Sequence, residues 1–429
     1  MPTHDPRKVL ETLRNHLTQP EANVAFLLGA GTSCAVRVPV VLDDGGAAEE
    51  DQGAVPQTRS LIPNVAELTQ ICVKEIRKLD PEGKAPRFGP AYDAIELEIR
   101  PKDRPTNIED ILSCVRRKLH AIGTADTLSG WSADDLEQLE KAICRTIAAQ
   151  VNPDPSSFPE KLPHEDFIRW IARIPRVQPI EIFTTNYDVL VETALEIERV
   201  PAFDGFVGCN RPFFSHDSLT RPESAPGPAW TRLWKVHGSI NWRLDTVRGR
   251  QRVVRTDPHN DGQMILPAHH KYDESRKQPY SALLDRLTRV LERDDAILFV
   301  CGYSFSDDHI NAIIFDALEA KRRPHVIALQ YADPEEGSVL VDRAARFLNL
   351  MVLGPRVAHI GGRSGKWILE EIRGGAAQIV QSFRLDAAAE GEQPTGTGSL
   401  LLGDFARFAE FLGALTKASM IWPVQTRHT

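Results

Sequence analysis

Val24–Leu28 is an unbroken apolar run, and Gly29, Gly31, Thr32 and Ser33 follow it at once. A short continuous run of this kind reads as a buried strand of a parallel sheet. The signature returns at Pro179–Phe183, Trp230–Val236, Asp295–Cys301, His325–Gln330 and Leu350–Leu353. Between these runs the apolar spacing turns helical. Val9–Leu17 precedes the first strand, with Val9, Leu10, Leu13 and Leu17 on one face. Asn64–Leu79, Tyr92–Ile99, Thr106–Ile122 and Ser132–Gln150 read as successive helices, and Thr106 with Glu109 resembles a capping box. Val189–Glu198, Tyr280–Glu292, Asp308–Ala320, Ser338–Leu348 and Gly365–Phe383 alternate with the later strands. Asn241–Arg255 alternates at a period of two and predicts a hairpin around Arg248-Gly249. The βα alternation predicts an α/β fold: a mostly parallel sheet with helices on both faces. Asn64–Ile174 is then a helical module inserted between strands. Leu42–Ser60 reads as a loop, 386–399 as a polar linker, and 400–429 as a terminal helix (Leu400–Ile421) and tail after a main domain of 1–385.

Composition narrows the class. The chain has 429 residues, 42% hydrophobic and 26% charged, and a net charge of −8. That is a globular composition with no global basic field, so no direct nucleic-acid binding is expected. Arg116-Arg117-Lys118 and Lys321-Arg322-Arg323 read as solvated helix faces or ends. Cys34, Cys72, Cys114, Cys144, Cys209 and Cys301 form no Cys-x-x-Cys pair, which argues against a zinc knuckle and a disulfide framework. No apolar run reaches membrane-spanning length and the first residues carry no apolar signal region, so no membrane partner and a cytoplasmic location are expected.

The candidate chemistry sits where strands end. Gly29–Ser33, Thr184–Asp188 and Gly302–Asp308 each follow a buried run, and His237-Gly238 follows a fourth. In an open α/β sheet, ligands bind outside the carboxyl ends of the strands, so these loops can share one crevice. Gly29 and Gly31 let the backbone turn and approach a ligand, although position 34 of the dinucleotide-binding pattern holds Cys34 rather than a third small residue. An asparagine amide can hold a water by donor and acceptor together, and a histidine can take its proton. Each residue also has a plainer reading. His237 can be a structural histidine, Asn186 a helix cap, and Asp188 an acid in a helix's first turn. His269-His270 and His309 read as loop histidines without a metal; Trp234, Trp242 and Phe305 read as core or pocket wall.

Gly-Ala-Gly-Thr-Ser (29–33), Thr-Thr-Asn-Tyr-Asp (184–188), Lys-Val-His-Gly-Ser (235–239) and Gly-Tyr-Ser-Phe-Ser-Asp (302–307) stand in the order of the sirtuin motifs. The chain most resembles the bacterial sirtuin-like branch that defends cells against phage by destroying NAD. Asn107–Leu112 also resembles a recurrent segment of that branch. The resemblance spans roughly residues 23–383 and implies a Rossmann-like domain with NAD as substrate. It implies that Gly29, Ala30, Gly31, Thr32 and Ser33 cradle the pyrophosphate, and that Thr185, Gly302, Tyr303 and Ser304 complete the dinucleotide site. It implies catalytic roles for Asn186, His237 and Asp188. A homo-oligomer and a partner ATPase of HerA type are implied by resemblance alone.

The departures matter as much. Deacylating sirtuins carry a four-cysteine zinc module after the histidine; this chain has none, and no zinc is expected. They also carry Asp-Phe-Arg after the first loop, where Val40-Val41-Leu42 stands here behind Pro39. The expected activity is therefore NAD glycohydrolysis, giving nicotinamide and ADP-ribose. The alternatives are a protein deacylase or ADP-ribosyl transferase and, in another class, a non-catalytic NAD or ADP-ribose sensor.

Overall fold

A computed structural model describes residues 2–40, 57–80, 85–100, 105–123, 126–128, 130–259, 279–320, 324–370, 381–387 and 395–419. Ten strands form the main sheet: β1 (Thr3–His4), β2 (Asn23–Leu28), β3 (Glu181–Thr184), β4 (Ala202–Phe203), β5 (Thr231–Lys235), β6 (Ala296–Cys301), β7 (His325–Leu329), β8 (Leu350–Leu353), β9 (Val357–Ile360) and β10 (Arg363–Trp367). Their order is β1-β10-β9-β8-β7-β6-β2-β3-β5-β4. All pairings are parallel except β8 with β9 and β9 with β10. The fold is thus the α/β class that the alternation predicts.

Two cores lie on opposite faces of this sheet, as the pleat requires. Val24, Phe26 and Leu28 face helices Pro6–Thr18, Pro163–Arg173 and Phe405–Ser419. Ala25 and Leu27 face helices Tyr280–Leu291, Asp308–Glu319 and Val339–Arg346. A third core belongs to the helical module: Val65–Arg77, Phe88–Ile99, Ile108–Ala121 and Ala133–Val151 pack on one another and meet the sheet side through Leu190 and Ile240. Helix Pro163–Arg173 packs on the sheet instead, with Phe167 4.9 Å and Trp170 5.7 Å from the Phe26 ring.

Four local expectations change. The capping box lies one residue later than Thr106–Glu109. Asn107 accepts from the N–H groups of Glu109 and Asp110, and the Asp110 carboxylate returns to Asn107 N. The expected helix Gly365–Phe383 begins as a strand, because Gly361-Gly362, at φ 58° and 75°, make a two-residue hairpin loop that joins β9 to β10. Residues 371–380 of that helix lie outside the described residues. The terminal segment starts with strand Gly398–Leu400, paired antiparallel to Phe383–Leu385, and its helix begins only at Phe405. Strand Thr58–Ser60, inside the expected loop, pairs with Arg37–Pro39, while 41–56 lie outside the described residues, as do His269-His270 and Lys321-Arg322-Arg323. The expected hairpin is present, Trp242–Val247 against Arg250–Arg255 with Val247 opposite Arg250.

Candidate active site

The register of the sheet gathers the loops. Leu329, Cys301, Leu28, Thr184 and Lys235 stand in one row across β7, β6, β2, β3 and β5. The chain leaves each strand at the same level, so residues 29, 185, 236, 302 and 330 emerge side by side. The chain runs from β2 outward to β3 and β5, then returns to β6 on the other flank of β2. That reversal opens a crevice at the carboxyl ends of β2 and β6. A cavity of about 2020 Å³ lies there. Single-ligand clefts run to roughly 1,000 Å³, so the space exceeds one dinucleotide.

The two glycine loops interlock at the crevice floor. Gly29 N donates to Cys301 O and Gly31 N to Gly302 O, each at 2.9 Å. A Cβ on Gly29 would come within 2.5 Å of Gly302 O, and one on Gly31 within 2.7 Å of Gly302 Cα. The close approach that these glycines permit is therefore first an approach of one loop to the other. Ala30, Gly31 and Ser33 line the cavity, whereas Gly29 and Thr32 lie behind it.

Asn186 is clamped from that side. Its Nδ2 donates to Gly29 O (3.1 Å), Thr32 Oγ1 (3.1 Å) and Ser33 Oγ (2.8 Å). A backbone carbonyl can only accept, so the nitrogen must face Gly29 and the oxygen the other way. That oxygen, Oδ1, is buried without a partner among the described residues, although the residue lines the cavity. Buried polar atoms are almost always satisfied, so an unpartnered oxygen on a residue that lines the cavity is a candidate acceptor for a ligand's donor. The hydroxyls of Thr32 and Ser33 are committed to protein groups: Thr32 Oγ1 donates to Gly29 O at 2.8 Å, and Ser33 Oγ to Asp188 Oδ2 at 2.6 Å. Asp188 is 5% exposed; its other oxygen accepts from Leu190 N at 3.0 Å, and its carbonyl accepts from Lys235 Nζ. So Asp188 holds the first loop and starts a helix at once. Lys235 also pairs with Glu192 at 2.9 Å. Burial raises the Glu192 carboxyl and the lysine charge works against that rise.

His237 stands across the cleft on the β5 loop. Its Nε2 lies 3.1 Å from Asp307 Oδ2, with the two side chains 16% and 15% exposed. The other carboxylate oxygen of Asp307 accepts from His309 N (2.8 Å) and Ile310 N (3.0 Å), capping helix Asp308–Glu319. Burial by itself would raise this carboxyl; the His237 hydrogen bond and the two helix amides outweigh it and hold it well below the usual range. Tyr303 is buried, its hydroxyl 3.1 Å from Asn311 Oδ1 and 3.3 Å from Asp307 O, and so supports the loop. Ser304 is exposed and pairs with Ser306 at 2.9 Å. Thr185 lines the cavity, with its N–H on Leu28 O at 3.1 Å.

Two features escape the sequence reading. Asp307 has no assigned role there, although its place at the start of a helical run is an N-cap signal. The second is Tyr187, whose hydroxyl donates to Glu109 of the helical module at 3.1 Å. No local pattern links residues that far apart in sequence.

Residues 180–349 match a family model described as SIR2-like domain. The match takes in three of the four loops, those after β3, β5 and β6, and begins after the first. SIR2-like domains are NAD-dependent enzymes that use NAD as substrate. No curated protein matches the chain. Among the described residues no group of three or more His, Cys, Asp or Glu could hold a metal ion, and no helix is long and apolar enough to cross a membrane.

Proposed function

We propose that this protein hydrolyses NAD at the nicotinamide N-glycosidic bond, releasing nicotinamide and ADP-ribose. The observation that carries the reading is the unpartnered Asn186 oxygen, held rigidly in a crevice that His237 also lines. The nicotinamide ring is cationic in NAD and leaves as a neutral molecule, and positive charge develops on the ribose. Asn186 Oδ1 accepts a hydrogen bond from the attacking water or from the carboxamide and adds no net charge. His237 takes the proton as the water oxygen bonds to the anomeric carbon and the electron pair of the broken bond moves to the nicotinamide nitrogen. Such proton transfer contributes about 10²–10⁴ in rate. Asp188 positions the Asn186 loop through Ser33. Ala30 and Gly31 offer backbone to the pyrophosphate, and Gly302 and Ser304 face the adenosine half.

The order of the four motifs supports a role as an effector that depletes NAD in anti-phage defence, in the cytoplasm and without bound zinc. Assembly as a homo-oligomer beside a HerA-type ATPase rests on that resemblance. Its check is light scattering of the full chain alone and with such an ATPase. Asn186→Ala and His237→Ala, each with unchanged unfolding midpoint, are expected to lower NAD consumption at least about 10²-fold. Hydrolysis at the parent rate by both variants contradicts the assignment.

A further inference from the structure

We propose that Asp307 is a positioning residue that sets the tautomer of His237, placing the proton on Nε2 and leaving the Nδ1 lone pair for the reacting water. The role rests on the NAD reading above, but the geometry stands apart from it. Nε2 is 3.1 Å from Asp307 Oδ2. An ionised carboxylate can only accept, so Nε2 must carry the hydrogen. A neutral imidazole has one N–H, and the lone pair then falls to Nδ1. Asp307 stays ionised because its second oxygen is engaged by two amides at the positive end of a helix of twelve residues. His237 Nδ1 makes no hydrogen bond among the described residues and is not an enclosed, unsatisfied atom. The ring lines the cavity, and Nδ1 is the nitrogen left to accept the water's proton. The imidazolium formed in that step is stabilised by the Asp307 charge until the proton passes to solvent.

The cap makes a clean substitution available. In Asp307→Asn the oxygen must stay on the His309 and Ile310 amides, which need an acceptor, and asparagine caps helices as well as aspartate does. The new NH₂ then faces His237 Nε2 and donates to it. Nε2 becomes the acceptor and the proton moves to Nδ1, the wrong place for a base. Replacing such a carboxylate by its amide in a histidine relay elsewhere costs about 10⁴ in kcat.

The test is made on the full chain. Ring ¹⁵N–¹H correlation spectra of His237, assigned by comparison with His237→Gln, read the tautomer without any substrate. The parent is expected to show Nε2–H and Asp307→Asn to show Nδ1–H. Steady-state assays with NAD are expected to give a kcat at least about 10²-fold lower with KM within about threefold. Asp307→Ser, which keeps a cap but cannot reach the ring, is expected to fall between the two. A parent ring protonated on Nδ1, an unchanged tautomer in Asp307→Asn, or a kcat within threefold of the parent overturns the proposal. If the parent has no NAD turnover, the hydrolase reading fails, while the ring spectra still decide the Asp307 assignment.

Discussion

Gly302 carries more of the site's geometry than its size indicates. Its φ is +63°, and a Cβ there would sit 2.5 Å from Thr32 N and 2.8 Å from Gly31 C. Strain and overlap act together, so Gly302→Ala is expected to cost on the order of 2 kcal/mol or more. Gly227, where a Cβ meets nothing within 4 Å and φ is ordinary, is the control: Gly227→Ala should stay within about 0.5 kcal/mol. Urea midpoints of the two variants check this, and equal midpoints would remove the interlocked glycines from the account. The sequence marks all three glycines as special, because only glycine tolerates such crowding. It does not show what crowds them. Neighbours 270 and more residues away are set by the sheet, not by the local pattern.

Among the elements, β3 begins with a fully buried charge. Glu181 is fully buried, and its oxygens accept from Trp234 Nε1 (2.8 Å), Arg286 Nε (2.8 Å) and Nη2 (2.6 Å), and Arg293 Nη2 (2.7 Å). Burial alone would raise its carboxyl, but the two arginines and the indole hold it below the ordinary range. A carboxyl depressed by folding adds stability above its unfolded pKa of about 4.3 and loses it as pH falls through the folded value. The unfolding midpoint should therefore hold from neutrality to about pH 5 and drop in more acid solution. Glu181→Gln should lower stability by about 2–3 kcal/mol at pH 7 and flatten that acid drop. An unchanged acid slope in the variant would show that other carboxylates govern it. Strands and helices were mostly legible because their apolar periods differ. Residues 365–367, the start of the expected helix Gly365–Phe383, are instructive: Gly365 and Trp367 are buried on one face of a strand, a period of two masked by its shortness. The turn that decided it, Gly361-Gly362, is visible in the sequence as a hairpin signal. The candidate site was legible as four loops, since each follows an apolar run. The His237–Asp307 and Tyr187–Glu109 pairs were not, because they depend on which strand ends stand next to each other.

For the whole molecule, the C-terminal helix changes what a truncation means. Phe405, Phe408, Phe411, Leu412 and Leu415 are 0–2% exposed, and the Phe408 ring lies 6.0 Å from Phe299 at the sheet. The helix completes its own chain's core rather than standing ready for a neighbour. A chain ending at Asp386 loses those five side chains, each worth roughly 1.5–3 kcal/mol of burial. It is expected to lose cooperative unfolding in circular dichroism; a truncated chain that unfolds at the parent temperature would contradict this packing. Phe405 also lines the cavity together with Gly403 and Asp404, so the last element helps to wall the crevice that the first strand opens. Product analysis of the purified full chain decides what that crevice does with NAD. Incubation with NAD and no protein substrate, followed by chromatography, should give nicotinamide and ADP-ribose in equal amounts. Asn186→Ala, run beside it, should leave NAD intact. Acyl-ADP-ribose formed only with an acylated peptide, or tight NAD binding without any nicotinamide release, would contradict the account.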